Sequence, residues 1–135
     1  MGDYKPTQYE VTAVAAATLA ARGVHPAAAW DVTAKQVCGS ASTAEKRCPR
    51  SAFLGLASIG ALSGVPPGEY CAPGKNAQYV QTALTLLLAN QSLANQPREL
   101  WRLVLQGEEK RYNQQMHVLS ALWRASKLVA TSSAG

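Results

Sequence analysis

Cys48 is set among cations: Lys46, Arg47, Cys48, Pro49 and Arg50 lead directly into the apolar run AFLGLASIGAL. Proline is favoured in the first turn of a helix, so the spacing predicts a helix with Cys48 as its cap and Pro49 as its first residue. The first turn leaves amide donors unpaired and carries partial positive charge. With Lys46, Arg47 and Arg50 beside them, those donors suit a phosphate or a carboxylate. The same field favours the thiolate of Cys48, which would make it a reactive nucleophile. A capped structural helix beside a solvated basic loop accounts for the same residues without any ligand.

A nucleophilic cysteine needs a base, usually histidine. His25 precedes Pro26 in a turn, which leaves His117, and no spacing places His117 beside Cys48. A half-buried structural His117 on a helix is the competing explanation. Nine residues separate Cys38 from Cys48 and twenty-two separate Cys48 from Cys71, whereas structural zinc sites pair close ligands, so no metal is expected. Glu108 and Glu109 suit the start of a helix as complements to its dipole. No phosphate loop or dinucleotide fingerprint occurs and no cofactor is expected; Gly55 and Gly60 read as close-packing positions inside a helix.

The C-terminal third offers a second basic surface. A short helix from Pro97, a turn at Gly107 and a following helix have the order of a helix-turn-helix. Lys110, Arg111 and Gln114 then fall near the start of the second helix, where cations meet phosphate and Asn or Gln reads adenine edges. An ordinary helical hairpin with a polar outer face is the stronger explanation of the two, because Gln and Arg are also good surface helix residues.

These residues must be positioned by helices, because no stretch alternates with the period of a strand. Thr7 and Glu10 form a capping box for a helix that Gly23 ends. A second helix runs from Pro26 to about Cys38, with Ala27, Trp30, Ala34 and Val37 inward. The third spans about 49–63, apolar almost all round and therefore central, and stops at Gly64. Val65-Pro66-Pro67-Gly68 makes a rigid turn. Asn76 caps a fourth helix with Val80, Ala83, Leu84 and Leu87 inward, and Asn95 a fifth with Leu100, Trp101, Val104 and Leu105. The sixth covers about 108–130, with Tyr112, Met116, Leu119, Leu122 and Trp123 facing the core. Residues 131–135 read as a disordered tail. The expectation is a compact all-α domain of five or six helices over residues 1–130.

The 135 residues carry 13 Lys or Arg against 8 Asp or Glu, a formal charge of +5, which permits acidic partners. Three cysteines at wide spacing argue against a disulfide framework and for a reduced, cytoplasmic setting. The run VTAVAAATLAA is too short to span a bilayer, and the residues before it lack the cationic lead of a signal peptide. Pro6 breaks the myristoylation pattern.

The strings CPRSAFLGL at 48–56 and GVPPGEY at 64–70, then Asn76 with Tyr79, Leu100-Trp101 and Asn113-x-Gln115-Met116, resemble a family of small uncharacterised bacterial proteins. The resemblance spans most of the chain and implies a single helical domain with no assigned activity. It also implies an acidic residue just after the Gly-Leu pair, where this chain has Ala57-Ser58.

The functional expectation is a small non-catalytic binding or regulatory module. Its partner would be nucleic acid or another polyanion, met through Lys46, Arg47 and Arg50 with Lys110, Arg111 and Gln114. The alternatives are a protein-interaction module that buries an apolar face, and a thiol enzyme using Cys48.

Overall fold

A computed structural model describes residues 7–38, 47–70, 75–107 and 115–128, with the side chains of residues 47, 48, 75 and 76 outside that description. Six α-helices make up the described residues: α1 (Gln8–Ala21), α2 (Pro26–Cys38), α3 (Arg47–Ser58), α4 (Lys75–Ala89), α5 (Pro97–Leu105) and α6 (Gln115–Arg124). A 3-10 turn, Gln91–Asn95, joins α4 to α5. No strand occurs among the described residues; Leu62 and Leu128 form one isolated antiparallel bridge.

α1 opens with the predicted capping box. The Thr7 hydroxyl accepts the Glu10 amide at 3.2 Å and the Glu10 carboxylate accepts the Thr7 amide at 2.7 Å. Gly23, at φ +105°, turns the chain toward α2, a conformation that costs a residue without Cβ least. α1 and α2 form a hairpin, and α6 lies against α1, α3, α4 and α5. α3 is central as expected: positions 52 to 57 are all buried. Trp30 meets Phe53 with ring centroids 5.2 Å apart, joining α2 to α3, and Tyr79 meets the edge or face of Trp101 at 5.2 Å, joining α4 to α5.

Several boundaries differ from the sequence reading. α3 begins at Arg47, so Cys48 is inside its first turn and Pro49 in its third position, where a missing amide is still harmless. It stops at Ser58 rather than near Gly64. Gly60 takes φ +78°, its amide reaches the Ala57 carbonyl, and the Ala61 amide reaches Leu56, a Schellman ending. α6 ends at Arg124, not near 130, through the same pattern built on Ser126 at φ +59°, with the Lys127 amide on the Leu122 carbonyl. The two endings meet: the Ser63 amide donates to the Lys127 carbonyl at 2.8 Å beside the Leu62–Leu128 bridge. α4 starts at Lys75, with Asn76 inside it. Asn90 caps the 3-10 turn, and Gln96, not Asn95, precedes α5. On α2 the inner stripe is Ala29, Trp30, Thr33 and Ala34, with Ala27 and Val37 only partly buried. Trp123 is likewise half-buried at the core margin, and Tyr112 lies outside the described residues.

Candidate docking face on the first and last helices

Between Glu10 and Arg22, α1 contains no charged residue. A helix that is apolar all round is normally enclosed on all sides. Here one side is enclosed: Ala13, Ala16, Ala17 and Ala20 are buried against the rest of the fold. The other side is open. Val11, 41% exposed, starts a stripe that continues through Ala15 and Thr18 to Arg22, positions that recur about once per turn on one helix face. Thr18 turns its hydroxyl back to the Val14 carbonyl at 3.2 Å, so its polar atom is satisfied within the helix.

α6 supplies the second wall. An open groove of about 470 Å³ lies between Val11, Val14 and Ala15 on one side and Ala121 and Ala125 on the other. Its polar end is an ion pair, Arg124 Nη2 to Glu10 Oε2 at 3.0 Å, and Arg124 Nη1 also donates to the Ala94 carbonyl at 3.1 Å. Glu10 is only 2% exposed, so one carboxylate serves both the α1 cap and the tie to α6. The start of α1 therefore lies against the end of α6. His117, on the same helix, is held below the usual histidine range, first by burial and then by the cations Arg98 and Arg124; Glu10 works in the other direction. It is half-buried beside that cluster.

The basic cluster at α3 has a different character. The Arg50 guanidinium is clamped by the Asp31 carboxylate through two bonds, 2.9 Å and 3.2 Å, tying α3 to α2. Lys46, Lys110, Arg111 and Gln114 lie outside the described residues, as do the side chains of Arg47 and Cys48 and all of Cys71. Arg50 is thus the single predicted anion contact whose surroundings can be described, and it already has a carboxylate. α5 and α6 follow one another in helix-turn-helix order, but Gln115 and Met116, the first described residues of α6, are wholly buried. Cys38 is a free, partly exposed thiol beside Tyr9, whose hydroxyl is pushed up by burial and then by that thiol. Among the described residues no three His, Cys, Asp or Glu side chains group as metal ligands, and no helix is long and apolar enough to cross a membrane.

Among the described motif residues, Gly55, Gly60, Gly68 and Tyr70 make packing and turn contacts. A Cβ on Gly55 would sit 2.8 Å from the Ala77 Cα, so its absence lets α3 and α4 touch backbone to backbone. Gln81 on α4 donates to the Gly55 carbonyl across this contact at 3.1 Å. Gly60 does not pack inside a helix but ends one, against Pro67. The segment after it folds back on α3: the Gly68 amide reaches the Ser58 carbonyl, and the Tyr70 hydroxyl donates to the Pro66 carbonyl at 2.6 Å. Tyr70 also meets His25 edge to face at 5.3 Å, and His25 Nδ1 accepts the Ala27 amide at the start of α2.

The sequence places the helical apolar spacing of α1 at residues 11, 14, 15, 18 and 19, but the structure buries the opposite side, Ala13, Ala16, Ala17 and Ala20, and leaves that spacing exposed or half-exposed. The signal of an open face was present as an uncharged stretch longer than one buried face requires. The Glu10–Arg124 tie carried no such signal. No curated protein and no solved structure matches the chain. One family description does, over residues 6–129, and on that match the chain belongs to the family of unknown function DUF6979.

Proposed function

We propose that this protein is a non-catalytic binding module that receives another protein on the α1–α6 face, within the cytoplasm of a bacterial cell. The observation that carries this reading is the open apolar stripe of α1, Val11 to Thr18, continuous with the alanine-lined groove. An exposed apolar surface bordered by polar residues is the usual mark of an interaction site. The free thiol of Cys38 accords with a reducing compartment.

The test is a photo-reactive phenylalanine analogue placed at position 15, with a control at Lys35 on the exposed side of α2. Crosslinking in producing cells should give a discrete adduct from position 15 and none from position 35. Equal labelling from both positions, or none from 15, would remove the reading.

Polyanion binding remains as a second reading because of the +5 charge. It rests on Lys46, Arg47, Lys110, Arg111 and Gln114, since Asp31 already neutralises Arg50. Fluorescence anisotropy with a labelled DNA duplex and an RNA oligomer decides it. Binding that weakens steeply with salt and falls when Lys46 and Arg47 become Ala would support it, and no binding at low salt would end it.

A further inference from the structure

We infer that the cleft between the α1–α2 turn and the 64–70 segment binds a small, neutral, planar ring molecule that carries a hydrogen-bond acceptor. This cleft shares no lining residue with the α1–α6 groove and stands without it. Segments far apart in sequence build it. Val24, His25 and Pro26 form one wall and Val65, Pro66 and Tyr70 the other, around a space of about 270 Å³. Clefts for drug-sized ligands begin at roughly 300 Å³, so this one suits a single ring system and not a nucleotide.

Both walls are fixed by the protein's own bonds. In the turn, the Gly23 amide donates to the Ala20 carbonyl at 3.0 Å and the Val24 amide to the Leu19 carbonyl at 3.2 Å. The other wall is braced on the end of α3, where the Gly68 amide donates to the Ser58 carbonyl at 3.2 Å and the Tyr70 amide to the Ser58 hydroxyl at 3.3 Å. Prolines, valines and two aromatic rings make up these walls, with no long flexible side chain among them. Such residues have few rotamers to lose when a ligand arrives, which favours a rigid ligand over a flexible one. The Tyr70 and His25 rings, edge to face at 5.3 Å, offer a planar ring the contacts that aromatic groups prefer.

The polar atoms set the rest of the chemistry. No Lys, Arg, Asp or Glu lines the cleft, so a charged ligand finds no opposite charge in its walls. The Tyr70 hydroxyl hydrogen is used on the Pro66 carbonyl. His25 Nδ1 accepts the Ala27 amide at 3.1 Å, which places the proton of the neutral imidazole on Nε2. That Nε2–H is the one side-chain donor in the lining left unused among the described residues, and it calls for an acceptor on the ligand.

Amide NMR spectra of the whole chain, titrated with benzamide at mildly alkaline pH, test this. Saturable shifts should gather at residues 20–26 and 64–70, with a dissociation constant of about 1 mM or tighter. Toluene lacks the acceptor and cyclohexanecarboxamide lacks the planar ring, and each should bind several-fold more weakly. His25→Asn keeps an acceptor for the Ala27 amide and removes Nε2–H, so it should weaken benzamide several-fold and leave the melting curve unchanged. The three probes compared on the unaltered protein decide the same point without any variant. Absence of saturable shifts in those two segments would overturn the site. Shifts there that toluene or cyclohexanecarboxamide matches would overturn the ligand chemistry.

Discussion

The α3–α4 contact and the α1–α6 contact both seat one helix on another through small residues, and they leave opposite surfaces behind. At α3–α4, Gly55 stands against Ala77 with no room for a methyl group, and α3 is covered on every side. At α1–α6, Val11 and Ala15 line an open groove against Ala121 and Ala125, while Ala13, Ala16, Ala17 and Ala20 on the other side of α1 are buried in the fold. The most recognisable string in the sequence, AFLGL, is used up by folding. The plain alanine-rich helix leaves apolar surface over along one whole side, whereas elsewhere among the described residues the exposed large hydrophobics are Val24, Val32 and Ile59. A distinctive motif therefore says little about where a partner sits when its residues are consumed by a close helix crossing. An uncharged helix says more when the fold covers only half of it.

The largest break in this comparison is Arg124→Met. It strands the buried Glu10 carboxylate without its cation, which costs about 3–5 kcal/mol, read as a drop in the denaturation midpoint. Adding Glu10→Gln should recover most of it, because a glutamine still closes the capping box and carries no charge. Failure to recover would mean that Arg124 acts through packing alone. Gly55→Ala comes next. Overpacking against the Ala77 backbone should cost about 1–3 kcal/mol by the same measurement, without touching the α1 face.

His117 gives a pH signature of the α6 side. Its folded-state affinity for protons is depressed by burial, so the unfolded chain binds a proton more readily. Stability from this group is complete above the ordinary histidine value of about 6.5 and is lost as pH falls below it toward the folded value. The melting temperature should decline over that window, and His117→Phe should flatten that part of the decline. An unchanged profile would show that His117 does not titrate in the folded protein as its setting requires. The smallest stability effect belongs to Asp31→Asn. The Arg50–Asp31 pair is partly exposed, 35% and 48%, and its loss should cost under about 1 kcal/mol. It should nonetheless raise affinity for a DNA duplex if the α3 start meets polyanions, and leave it unchanged if that cluster is structural.

What the sequence made legible was local. The Thr7–Glu10 box, the span of α2, and the inward stripes of α4 and α5 each follow from residues within one or two turns. What it hid was set across the chain. α3 and α6 end early in turns at Gly60 and Ser126, and the segments beyond them meet, Leu62 with Leu128 and Ser63 with Lys127, a contact made between segments far apart in sequence. Ser126 ends α6 in a left-handed conformation usually kept for glycine, so no residue type announced the stop. Arg50 read as an available cation because Asp31, on another helix, is invisible as its partner until the fold forms. Glu10 and Arg124 are 114 residues apart, and Glu10 already had a sufficient local explanation in the capping box.

The most direct test sets binding beside stability in one variant. A photo-reactive residue at the exposed position 11 is used to capture the partner with and without Ala15→Arg, and both proteins are melted under the same conditions. The account predicts equal melting temperatures and loss of the captured adduct, and so of binding, in the variant. A lowered melting temperature with binding intact would mean that the open face of α1 serves the fold and not a partner.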